Sequence, residues 1–139
     1  MHTVGQDVTV TARIGDRVFG GFVSSCAIVL AYGMGNDLVG VYHWPGLVGS
    51  QGYREKFRAL CSNVGSLGRI YIVSNGFLGQ KELRDKYLGE ARNIRTTSGV
   101  DTRYLVIDSD RDQTPFLTLT SDGPVGVAQS LKYIDLNTD

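Results

Sequence analysis

Cys26-Ala-Ile-Val-Leu-Ala-Tyr32, Gly33-Met-Gly-Asn-Asp37 and Leu38-Val-Gly-Val-Tyr-His-Trp44 form the stretch that decides the fold of this 139-residue chain. The first segment is apolar and partly β-branched, which reads as a buried strand. The second is rich in Gly and Asn and reads as a turn. The third is another strand, ended by Pro45-Gly46. Two strands joined by so short a turn pair antiparallel.

Toward the N-terminus, Asp7 to Ile14 alternates Val8, Val10 and Ala12 with Thr9, Thr11 and Arg13, the pattern of a half-buried strand. Gly15-Asp16 reads as a hairpin turn into a second strand, Arg17 to Val23. Gly20-Gly21 interrupts that strand as a bulge or a close approach.

After Pro45 the period changes. Tyr53, Phe57, Leu60, Cys61 and Val64 make the apolar stripe of an amphipathic helix, with Arg54, Glu55, Lys56 and Arg58 opposite. Arg69 to Ser74 is a short apolar strand. Gln80 to Arg95 is a second helix, with Leu83, Tyr87, Ala91 and Ile94 on one face. Tyr104 to Ile107, Phe116 to Thr120 and Leu131 to Leu136 complete the strands. This order is α+β, a layered α/β arrangement of mainly antiparallel sheets forming a sandwich with two flanking helices. It lacks the regular βαβα alternation of a dinucleotide-binding fold. With no repeat and no linker composition, residues 1–139 read as one domain.

Composition narrows the function. Fourteen basic and fourteen acidic residues cancel, which argues against nucleic-acid binding and against a polybasic membrane anchor. The longest apolar run, Ala27 to Tyr32, is far short of a membrane span. Met1 leads into a polar stretch and not into a signal peptide, and two cysteines make no disulfide framework. The expectation is a cytoplasmic protein, or one exported by a signal-independent route.

Two cysteines and two histidines bear on chemistry. Cys61 lies on the apolar helix face and reads as core. Cys26 follows Ser24 and Ser25 where a turn feeds a strand, a setting that suits a reactive thiol. His2 reads as part of a frayed terminus. His43 lies near the end of the second hairpin strand, about as far from the turn as Cys26, so the two read as facing residues. A Cys–His pair is the minimum for nucleophilic acyl transfer: the imidazole favours the thiolate, then protonates the leaving amine.

Phe22-Val-Ser-Ser-Cys26-Ala-Ile-Val-Leu followed by Val39-Gly-Val-Tyr-His43-Trp-Pro45 resembles the chemoreceptor glutamine deamidases (the CheD family) of bacterial chemotaxis. Their Cys–His core is shared with deamidase toxins of the cytotoxic necrotizing factor type. The resemblance covers most of the chain by element order and is concentrated in residues 20–46. It implies Cys26 as nucleophile, His43 as acid–base partner, no cofactor, and a protein substrate bearing a reactive glutamine. Backbone N–H groups near Ser25 and Cys26 would hold the oxyanion. Where that family has a threonine to orient the histidine, this chain has Gly20, and Ser24 replaces a glycine. Ser24, Ser25 or a carbonyl near Gly20 is left as the orienting group, and these departures suggest a divergent, effector-like member. A non-catalytic binding module on the same scaffold, or a thiol transglutaminase or amidohydrolase, is the alternative.

The remaining signals are weak. Asp108-Ser-Asp110-Arg-Asp112 imitates a calcium loop but has Gln113 and Leu119 where that loop needs Gly and Glu. Gly76-Phe-Leu-Gly79 precedes a helix without the Lys-Ser/Thr of a phosphate loop. The ligand residues are too few for zinc, so no metal is expected.

Overall fold

The computed structural model describes residues 1–5, 8–20, 27–44, 52–75, 81–109 and 113–137. Its central strand, β4 (Ala27–Gly33), is buried from Ala27 through Tyr32 on both faces. On one side Ala27, Val29 and Ala31 enter a core beneath two helices; on the other Ile28, Leu30 and Tyr32 enter a core shared with a second sheet. A strand without a polar face needs a covering layer on each side. The architecture is therefore mixed α+β in three layers: helices, large sheet, small sheet.

The large sheet is built around the hairpin of β4 and β5 (Leu38–Trp44), flanked by β2 (Thr9–Arg13) on one side and β6 (Leu67–Asn75), β7 (Asp101–Ile107) and β10 (Leu131–Ile134) on the other. Its order is β10-β7-β6-β4-β5-β2. The small sheet contains β1 (His2–Thr3), β3 (Arg17–Phe19), β8 (Phe116–Thr120) and β9 (Gly123–Gly126), in the order β1-β3-β8-β9. Pairing is antiparallel except for β6 with β7 and β1 with β3.

The helices α1 (Gly52–Asn63) and α2 (Lys81–Ser98) cover the far face of the large sheet. α1 packs on β5 and β2, and α2 on β7 and β6. α2 is the crossover that makes β6 and β7 parallel. Its Tyr87, Ala91 and Ile94 are buried, as the helical period predicts, and the Tyr87 ring meets the Trp44 ring edge-on at 4.7 Å. α1 approaches the sheet closely because Gly40 and its partner Ala31 are small there. A β-carbon at Gly40 would stand 2.7 Å from Leu60 Cδ1 and 3.0 Å from the Leu60 carbonyl.

Three expectations are corrected. Gly15-Asp16 is a tight turn, with Gly15 at φ 98°, but β2 and β3 do not pair as a hairpin. Gly15 N–H donates to the Leu119 carbonyl at 2.7 Å and Leu119 N–H donates to the Asp16 carbonyl at 2.8 Å. The turn is therefore tied to β8 and carries the chain from one sheet to the other. His2 is not frayed: it lies in β1, beside Val18, with its Nε2 2.9 Å from Asp16 Oδ2. The strand expected to run to Val23 ends at Phe19, with Gly20 N–H donating to Pro115, and residues 21–23 lie outside the described residues. β9 was not expected from Gly123-Pro-Val-Gly126; as the edge strand of its sheet it tolerates proline.

Gly40→Ala is expected to lower unfolding stability by about 1–3 kcal/mol, because α1 must move away from the sheet. Urea denaturation would show this as a lower midpoint with an unchanged slope.

Candidate functional site

β5 alternates between the two cores: Tyr42 and Trp44 face the helices, while Val39 and Val41 face the small sheet. His43 has the parity of Val41 and is 1% exposed between the sheets. Its Nδ1 lies 2.7 Å from the Val4 carbonyl oxygen. A carbonyl can only accept, so Nδ1 carries a proton, and in the neutral ring Nε2 carries the lone pair. Nε2 is buried and has no hydrogen-bond partner among the described residues. Leaving a buried polar atom unsatisfied costs about 1–3 kcal/mol, and among the described residues the Tyr32 hydroxyl in the same core is likewise without a partner.

One short segment fixes this imidazole. Val4 donates its N–H to the Phe19 carbonyl at 2.9 Å and gives its own carbonyl to the His43 ring. Val8 N–H then turns back to the Gly5 carbonyl at 3.1 Å, and the Val8 carbonyl accepts the His43 backbone N–H, also at 3.1 Å. Val4, beside the small sheet, and Val8, beside the edge strand of the large sheet, thus each give a carbonyl to His43. Val4 is fully buried, and His2 ties the start of this segment to Asp16. The Asp16 carboxylate also accepts the Arg13 N–H at 3.0 Å. That backbone bond, and then the bond to His2, hold its pKa below the ordinary 3.8.

Cys26, Ser24 and Ser25 lie outside the described residues. The register of the hairpin is corrected: the residue facing His43 is Ile28, and Ala27 faces Trp44. The turn is centred between Gly35 and Asn36, not one residue earlier, with Gly35 at φ 72° and Asn36 Oδ1 accepting the Leu38 N–H. Moving the centre of a hairpin by one residue moves each cross-strand partner by two. Gly20 does not orient His43, since Nδ1 is engaged by Val4. A β-carbon at Gly20 would stand 2.9 Å from Ile28 Cδ1, so the residue facing His43 occupies the space a threonine there would need. No sequence pattern marks Val4, because the group it supplies is a main-chain carbonyl that every residue possesses.

At the same end of the sheet β6 finishes with two buried polar residues that sequence reading left unassigned, Ser74 and Asn75. Ser74 Oγ lies 2.6 Å from the Tyr104 hydroxyl on the helix side. Cys61 is half-buried against the helix-side core, where burial pushes its thiol up to about 11, leaving it protonated and unreactive at neutral pH. Among the described residues no three His, Cys, Asp or Glu side chains converge as metal ligands. Asp110–Asp112 and Gly76–Gly79 lie outside the described residues. No helix among those described is long and apolar enough to cross a membrane.

A scan against protein-family models and searches of curated proteins and of solved structures returned no match.

Two outcomes are expected. Nitrogen-15 NMR of the folded protein should show His43 with its proton on Nδ1 and a bare Nε2, the tautomer disfavoured in free imidazole side chains. Asp16 stabilises the fold fully above its unfolded pKa of about 3.8, and that contribution is lost as pH falls through its lower folded value. Acid titration of stability should therefore be shallower below about pH 4 in Asp16→Asn than in wild type.

Proposed function

We propose that this chain is a protein glutamine deamidase, with Cys26 as the nucleophile and His43 as its acid–base partner. One observation carries the reading: His43 is buried with Nδ1–H held by a carbonyl and Nε2 without a partner among the described residues. Such an imidazole is oriented to take a proton at Nε2. The Val4 carbonyl strengthens its hold on Nδ1–H once the ring is charged, so it supports the imidazolium that forms. Cys26 is two residues before Ile28, the residue that faces His43.

In the proposed reaction His43 Nε2 takes the Cys26 proton and Sγ attacks the glutamine carboxamide carbon. The Sγ–C bond forms, the tetrahedral adduct collapses, and the C–N bond breaks. Ammonia departs with the proton from His43, leaving a thioester. Water, activated by the same imidazole, then adds to the thioester carbon; the C–Sγ bond breaks and glutamate is released. Backbone N–H groups near Ser25 and Cys26 would serve the oxyanion. Ammonia released without an added amine distinguishes this hydrolysis from transglutamination, which uses the same thioester.

Intact-mass analysis after iodoacetamide treatment at about pH 6, where an ordinary thiol is nearly inert, tests the pair. Wild type is expected to take one label rapidly, on Cys26, while Cys61 stays unmodified. Cys26→Ala should take none, and His43→Ala should label much more slowly. Labelling that is equally slow in wild type and His43→Ala would remove the coupled pair and leave the non-catalytic binding module as the better reading.

A further inference from the structure

At the opposite end of β4 from His43, residues of the hairpin turn line a cleft of about 500 Å³, a volume in the range of small-molecule sites. Tyr32, which lines it, lies about 13 Å along β4 from Ile28, the residue facing His43. Arg69, Ile14, Met34, Asp37 and Ser121 also line the cleft.

Arg69 is held firmly but not neutralised. Its Nη1 donates to the Tyr71 hydroxyl at 2.8 Å and its Nη2 to the Ser121 carbonyl at 2.6 Å. The guanidinium carbon lies 4.9 Å from the centre of the Tyr32 ring and 5.6 Å from that of Tyr71. These bonds use two of the five N–H donors, and both acceptors are uncharged. Among the described residues no carboxylate pairs with Arg69. The Asp37 carboxylate is in the cleft, but it bonds to Arg13 Nη1 at 2.8 Å. The Tyr32 hydroxyl is buried without a hydrogen-bond partner among the described residues. The unsatisfied groups in this wall are donors, which selects a ligand that accepts.

Charge and shape narrow the ligand. One guanidinium balances one negative charge, whereas a phosphate carries nearly two at neutral pH, and Asp37 opposes the second. The planar fork of Arg69 matches a carboxylate with two parallel N–H···O bonds. Ile14 is half-buried and Met34 is 63% exposed, so both offer carbon to a ligand's skeleton. A guanidinium already fixed by two bonds and two rings loses little freedom when it binds.

We propose that this cleft binds a small organic monocarboxylate, whose oxygens accept two N–H groups of Arg69 and whose carbon skeleton lies against Ile14 and Met34. The proposal stands apart from the Cys26–His43 reading, since neither residue of that pair lines the cleft.

Nitrogen-15 NMR titration at constant ionic strength tests it, with benzoate as the carboxylate. Benzoate is expected to shift the amide signals of Gly33 to Asp37, Gly68 and Arg69 saturably, with a dissociation constant of about 10 mM or tighter. Benzamide, the same ring without the charge, and inorganic phosphate should each bind at least about 10-fold more weakly. Arg69→Lys keeps the charge and loses the fork, and should weaken benzoate by about 10-fold or more. Met34→Ser changes an exposed side chain and should weaken it by about 3-fold. Circular dichroism and the signals of residues remote from the turn check both folds. The absence of a saturable shift in wild type would overturn the proposal. So would benzamide or phosphate binding as tightly as benzoate, or a folded Arg69→Lys binding it as tightly as wild type. Should Arg69→Lys fail to fold, Met34→Ser decides: unchanged benzoate affinity there would overturn the placement in this cleft.

Discussion

The two-sided burial of β4 is the constraint on which the other elements depend. Its residues from Ala27 to Tyr32 present no polar face, so neither side of the large sheet can meet water at its centre. One side takes α1 and α2, the other takes the small sheet, and each covering layer is amphipathic in a way that matches this demand. The small β4 side chains facing the helices, Ala27 and Ala31, together with Gly40 on β5, let α1 and the Trp44–Tyr87 pair settle close to the sheet. The larger Ile28, Leu30 and Tyr32 fill the wider space between the sheets.

The same constraint gives His43 its character. A polar ring on the inter-sheet face of β5 is buried, and among the described residues the groups bonded to His43 outside its own hairpin are main-chain carbonyls. Val4 and Val8 each supply a carbonyl, one to the ring and one to the backbone N–H. Among the described residues the ring is bonded through one nitrogen and not the other. The other buried polar groups at this end, Ser74 and Asn75, lie where β6 stops.

Much of the architecture was legible because it follows from periodicity. Leu38–Trp44 and Phe116–Thr120 match their expected bounds, and of the expected helix stripes Leu60, Val64, Tyr87, Ala91 and Ile94 are buried, with Phe57 and Cys61 half-buried. The errors concern partners more than elements. Gly15-Asp16 has the composition of a hairpin turn, yet it joins strands of different sheets, because its backbone groups are taken by β8. The turn expected at Gly33–Asp37 spans 34–37, with Gly33 still in β4, and its centre is one residue later than expected, which was enough to set Ile28, not residue 26, against His43. β1, only two residues long, carries too little pattern to be seen, although Val4 beside it is fully buried.

By itself the sequence determined the α+β class, the hairpin at its centre, the two amphipathic helices, and Cys26 and His43 as the residues to examine. Those follow from side-chain chemistry and local spacing, which are properties of the chain read in order. Only the tertiary structure decided the division of strands between two sheets, the register across β4, and the Val4 carbonyl as the group that holds His43. These depend on contacts between segments far apart in the chain, and the decisive one is made by a backbone oxygen. Because every residue has that oxygen, its role comes from where the fold brings it.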